Sequence, residues 1–182
     1  MPPSLVRYAT VASQPWKNGG GVTRELWREP AGGEFDLRLS IAQVDRDGPF
    51  SLFPGVDRVL TLLEGTGFRL SGPRGTREVT RVGAPIELAG EDAWDCALLA
   101  GPVLDFNVMV RRGRKVTVAC VGEGLLPPSA FALALSDGVQ LQTAAEVITL
   151  SRYDLVWGDG VRVLLAPPGG GLVVTFNPLV AG

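Results

Sequence analysis

Three stretches of this chain carry residue types that can do chemistry at spacings that bring them together. In "LDFNVMVRR", strand alternation puts Asp105, Asn107, Met109 and Arg111 on one face and Phe106, Val108 and Val110 on the other. The second set reads as core. The first mixes an acid, an amide, a thioether and a cation, which suits a pocket wall. In "FDLRLSIAQV", Phe35, Leu37, Leu39 and Ile41 alternate with Asp36, Arg38, Ser40 and Ala42, so a guanidinium and a hydroxyl share the non-core face. Arg58 opens a further strand, "RVLTLLEG": at a surface it would be solvated, inside a barrel it would clamp an anion.

The third stretch, "QPWKNGGGVTREL", sets Trp16, Lys17 and Asn18 against Gly19, Gly20 and Gly21, with Thr23 on the strand that follows. Glycine serves where the backbone takes unusual dihedrals or approaches another group closely. Either this is a hairpin connection, or bare backbone faces a ligand. A phosphate-binding loop is excluded, because Lys17 precedes the glycines and "VTREL" reads as a strand. The connection "DGPFSLFPGVDR" is rigid and apolar, and Phe50 and Phe53 plug one end of whatever body the strands form.

The chain contains no histidine, which removes Ser-His-Asp and Cys-His catalysis and every imidazole metal site. No Asp/Glu cluster has the spacing of a hard-oxygen site, so no metal, no cofactor and no catalytic residue is expected. A net charge of −2 argues against nucleic acid, and Arg111, Arg112, Arg114 and Lys115 read as a solvated turn. With no apolar run of 18 residues and no signal-peptide core in "MPPSLVRYAT", the expectation is a cytoplasmic protein without a membrane partner. Cys96 and Cys120 read as reduced packing residues.

The elements that must position these groups are strands. Runs such as "FRLSG", "REVTRV", "WDCALLAG", "KVTVACV", "ALALS", "VQLQT", "EVITLS", "RVLLA" and "LVVTF" are each bounded by Gly, Pro or a charge. Helical signals are weak and confined to Pro128–Ala132 and Thr143–Glu146. The halves also echo one another: "LLEGTGFRLSG" matches "LALSDGVQLQT", "VTRVGAPIELAGED" matches "VITLSRYDLVWGDG", and "CALLAGPVLDFN" matches "VLLAPPGGGLVVTFN". Both copies end in Phe-Asn, at Phe106-Asn107 and Phe176-Asn177. The expectation is an all-β chain with a seam at Arg111–Lys115, residues 1–111 and 112–182 forming two halves of one compact body.

"PWKNGGGVTREL", "FDLRLSIAQVDRDGPFSLFPGVDRVLTLLEG" and "GPVLDFNVMVRR", in that order across Pro15–Arg112, resemble the signature blocks of the HutD/Ves family. The resemblance implies a bicupin, two fused double-stranded β-helix (jelly-roll) barrels. It implies a bacterial small-molecule pocket without established catalysis. HutD proteins are associated with regulation of histidine utilisation, with formylglutamate a favoured ligand; Ves-type relatives are linked to cold or stress responses. The metal site of most cupins needs histidines and is not carried over.

Together these readings place a small carboxylate in a pocket made by Trp16, Lys17, Asn18, Gly19, Gly20, Gly21 and Thr23, with Arg38, Ser40, Phe50, Phe53, Arg58, Asn107 and Met109 around it. The glycine N–H groups would reach the ligand, and Asp57 and Asp105 would be internal partners of the cations. The alternative is a metal-independent isomerase or lyase on a small acid or sugar, with Lys17, Glu25 or Tyr153 as acid or base. A protein-binding module using exposed strand edges is a third reading, and homodimerisation is left open.

Overall fold

The fold, taken from a computed structural model, describes residues 4–121, 124–125, 130–143, 146–158, 162–164 and 171–177. It is all-β with almost no helix: among the described residues the one helical element is a 3-10 turn, Tyr8–Thr10. The chain opens with β1 (Ser4–Val6), then β2 (Gln14–Pro15), β3 (Gly21–Glu29), β4 (Leu37–Val44), β5 (Gly48–Pro49) and β6 (Val56–Glu64). There follow β7 (Phe68–Gly72), β8 (Gly75–Val79), β9 (Pro85–Ala89), β10 (Asp95–Leu98) and β11 (Val103–Arg111). The remainder supplies β12 (Lys115–Val121), β13 (Gly124–Leu125), β14 (Ala130–Ala134), β15 (Val139–Gln142), β16 (Val147–Leu150), β17 (Leu155–Trp157), β18 (Arg162–Leu164) and β19 (Gly171–Asn177).

Among the described residues of Pro128–Ala132 and Thr143–Glu146 there is no helix. Ala130–Ala134 is a wholly buried strand, and Thr143 and Glu146 close a turn through Thr143 N–H to Glu146 O (2.9 Å). Pro128, Ser129, Ala144 and Ala145 lie outside the described residues. Short apolar runs carry no period long enough to separate helix from strand, and the sheet decides.

Two compact units divide the chain: Ala12–Arg112, and Gly113–Gly182 together with Met1–Val11. The first consists of two antiparallel sheets, ordered β2-β3-β4-β11-β6-β9 and β5-β10-β7-β8. Both contribute to one apolar core that includes Leu60, Leu62, Phe68, Leu70, Trp94 and Cys96. The second consists of sheets ordered β1-β17-β14-β19-β12 and β13-β18-β15-β16. Its core is smaller in side chain: Ala130, Ala132, Ala134, Val139, Leu141, Leu150 and Val156. β1 reaches it by pairing Ser4 with Trp157 and Val6 with Leu155. Cys96 is buried as expected, but Cys120 is exposed: it shares a face of β12 with the buried Val118 and lies nearer the end of that strand.

Candidate functional site

Period-two geometry in the first unit builds a wall whose character changes along its length. On β6, Leu62 and Leu60 face the apolar core and Arg58 continues the same face; on β11, Val103 is followed by Asp105, Asn107 and Met109. β4 lies beside β11 with Ser40 opposite Asn107 and Arg38 opposite Met109, while β6 sets Arg58 opposite Met109 from the other side. One end of the space between the sheets is therefore apolar. The other is a cavity of about 220 Å³.

Nine of the residues expected from sequence meet around it: Trp16, Thr23, Arg38, Ser40, Phe50, Phe53, Arg58, Asn107 and Met109. Gln14, Pro15, Ala42 and Ser51 line it as well and were not singled out. Ala42 was within reach of the alternation that found Arg38 and Ser40; Gln14, Pro15 and Ser51 had no periodic signal. Trp16 is fixed by its indole N–H, which donates to Thr23 Oγ1 at 2.8 Å.

Lys17, Asn18, Gly19, Gly20 and Gly21 lie outside the lining. They make the tight turn between β2 and β3. Gly19 N–H donates to Trp16 O (3.0 Å) and Gly20 N–H to Asn18 Oδ1 (3.0 Å), so two of the three amides expected to reach a ligand are used within the turn. Gly19 has φ +70, and a Cβ on Gly21 would sit 2.1 Å from Gln43 O on β4. The glycines let one strand approach another; the lysine is exposed.

The two cavity arginines differ. Arg38 is held by Glu25, Nε to Oε2 at 2.6 Å, and its Nη1 lies 3.5 Å from Met109 Sδ. Glu25, paired with Ser40, reaches Arg38 diagonally on the same face, and a bulge in β3 between Glu25 and Trp27 returns Arg28 to that face opposite Arg38. Arg58 has no such acid. Its Nε donates to Asn107 Oδ1 at 2.6 Å, and its guanidinium lies over the Phe50 ring at 4.6 Å. Among the described residues its η nitrogens take no hydrogen bond. Asn107 in turn donates from Nδ2 to Asp105 Oδ1.

Burial shapes the protonation of the site. Asp105 is raised to about 6 by burial, against the opposing pull of Arg58 and the Asn107 hydrogen bond. Burial also lowers Arg58, with Asp105 raising it and Arg38 lowering it. Asp57, expected as an internal partner, instead faces outward and binds Arg112 with Glu91. The acid/base candidates are not gathered: Lys17 is on the exposed turn, Glu25 is paired, and Tyr153 belongs to the second unit. Tyr153 takes φ +70 and packs edge-on to Tyr8 at 5.3 Å.

The HutD family model matches residues 8–172 of this chain. An uncharacterized 21.2 kDa protein in the hutC 3′ region of Pseudomonas putida is 39% identical over 170 residues, covering 88% of this chain and 89% of that protein. Protein Ves of Citrobacter koseri is 42% identical over 109 residues, 57% of each chain. Among solved structures, HutD from Pseudomonas fluorescens SBW25, in a formate condition, superposes with a TM-score of 0.82 at 27% identity, covering 96% of this chain and 97% of that one.

Proposed function

This chain belongs to the HutD family, and from that premise we propose that it is a small-carboxylate sensor with a regulatory role in histidine utilisation, its two units being cupin-like barrels. The observation that carries the reading is the Arg58 fork. One nitrogen and one face of the guanidinium are fixed by Asn107 and Phe50, while the η nitrogens face a cavity with no acid to occupy them. A planar, preorganised pair of donors matches a carboxylate. Ser40 and the Trp16–Thr23 pair supply further polar contacts, and Phe53 an apolar one. The volume is below the ~300 Å³ floor of drug-sized pockets, which favours a metabolite of formylglutamate size over a nucleotide.

One partly desolvated arginine–carboxylate contact contributes roughly 1.5–3 kcal/mol, and with amide and hydroxyl contacts beside it a micromolar Kd, about 8 kcal/mol, is within reach. Calorimetric titration with formylglutamate, glutamate and urocanate tests the reading. Arg58→Ala is expected to weaken the preferred acid about 10- to 150-fold. Binding no tighter than millimolar to wild type, or unchanged binding to Arg58→Ala, would sink it.

A further inference from the structure

Behind Arg58, outside the cavity lining, lies an acid that the carboxylate-sensor reading does not use. Asp105 is completely buried, two residues from Asn107 on the same face of β11. The hydrogen bonds between them have a fixed polarity. Arg58 can only donate, so Asn107 turns Oδ1 to it and Nδ2 to Asp105 Oδ1. The second carboxylate oxygen, Asp105 Oδ2, is buried with no hydrogen-bond partner. Guanidinium and carboxylate thus face each other across an amide, and the cavity lies on the far side of the cation.

A ligand carboxylate on the Arg58 fork would be a second anion on one cation in a site with little water. Two anions so placed raise each other's proton affinity. The neighbouring groups leave one place for the proton. Arg38 on β4 is already neutralised by Glu25 on β3. Cys96 on β10 is pushed up to about 12 by burial and by Asp105 and Asp47, so it neither gains nor loses a proton in the working range. The β4 and β6 residues paired with Asp105 are Ala42 and Leu62, which do not titrate.

We infer that anion binding here is proton-coupled: a carboxylate arriving on Arg58 drives one solvent proton onto Asp105 Oδ2, making Asp105 a charge-balancing and positioning residue of the site. Oδ2 is the oxygen that can accept the proton without disturbing the relay, since Oδ1 goes on accepting from Asn107 and Arg58 stays aimed. The inference rests on the carboxylate-sensor reading. Its sign is definite. Free Asp105 titrates near 6 and the bound anion moves it higher, so binding tightens as pH falls from 8 towards 6.5.

The test is calorimetry of N-formylglutamate binding to wild type at pH 7 in two buffers of different ionisation heat, with Kd measured at pH 6.5 and 8. The probe's own carboxyls stay ionised across that range. Expected are uptake of a fraction of one proton and a Kd several-fold tighter at pH 6.5, bounded by about tenfold per pH unit. Asp105→Asn is expected to bind more tightly than wild type at pH 8 and to lose the pH dependence. If wild type binds equally at both pH values with no buffer-dependent heat, the proton coupling is overturned and the carboxylate reading stands. If wild type binds no carboxylate at either pH, both fall. The buffer comparison needs only wild type, so a poorly folding Asp105→Asn would not remove the test.

Discussion

Asp154 and Asp105 are both buried carboxylates, one in each unit, and the protein treats them in opposite ways. Asp154 is saturated. It accepts from Arg7 Nη1 at 2.6 Å, from Tyr8 N–H at 3.0 Å and from Ser151 N–H at 2.9 Å, and Arg7 forms an ion pair with it. Asp105 accepts one hydrogen bond, from a neutral amide, and leaves an oxygen without a partner. A buried carboxylate with several donors is a joint; one left short of donors can still change state. The cores beside them agree. The second unit's core is built of alanine, valine and leucine, whereas the first keeps Ser40 and Asn107 buried in its cavity wall and Asp105 buried behind Arg58.

Substitutions can break this contrast or sharpen it. The largest effect is expected from Asp154→Ala, which strands the amides of Tyr8 and Ser151 and releases β1. Because Arg7 is 42% exposed, its charge is not marooned, and the loss is about 2–4 kcal/mol, read as a fall in denaturant midpoint.

Asp105→Asn should act with the opposite sign. The folded state lifts this carboxyl from 3.8 to about 6, so it holds the proton more tightly than the unfolded chain does between those values. Stability therefore falls as pH climbs through that window and stays lower above it. Asparagine removes the penalty, by about 1–3 kcal/mol at pH 7.5 and by nothing near pH 4. Thermal melts at the two pH values decide; a loss at both would make Asp105 another joint and erase the contrast. The smallest effect is expected from Arg7→Ala, about 1 kcal/mol, since two backbone donors still hold Asp154. Chemical denaturation that put Arg7→Ala level with Asp154→Ala would show the ion pair, rather than the amides, to be what anchors β1.

The wall of the site was legible because it lies on regular strands. Arg38, Ser40, Asn107, Met109 and Arg58 sit at alternating positions, and alternation alone puts each on the inward face. The glycine run misled because close backbone approach has more than one cause: the pressure on Gly21 comes from Gln43 on the next strand, and a ligand would leave the same signature. Asp105 could be recognised as a partner of a cation, but not as one lacking a bond, since that depends on what three strands place around it. The bulge that returns Arg28 to the face of Glu25 and Arg38 depends on register, and no local residue announces it. "MPPSLVRYAT" gave no strand signal at all, because β1 is three residues long and takes its structure from β17.

That pairing has a bearing on how the chain is made. β1 leaves the ribosome before its partner, which follows about 150 residues later, after every strand of the first unit. Ala12–Arg112 contains all ten of its strands in one continuous stretch and can close its cavity while synthesis goes on. The opening segment has nothing to pair with until Leu155–Trp157 emerges, and Asp154, next to it, arrives at the same moment. β19, which lies between β14 and β12, follows later still, so the second unit closes after the first, and a ribosome stalled before β17 would carry a closed first unit with β1 still unpaired.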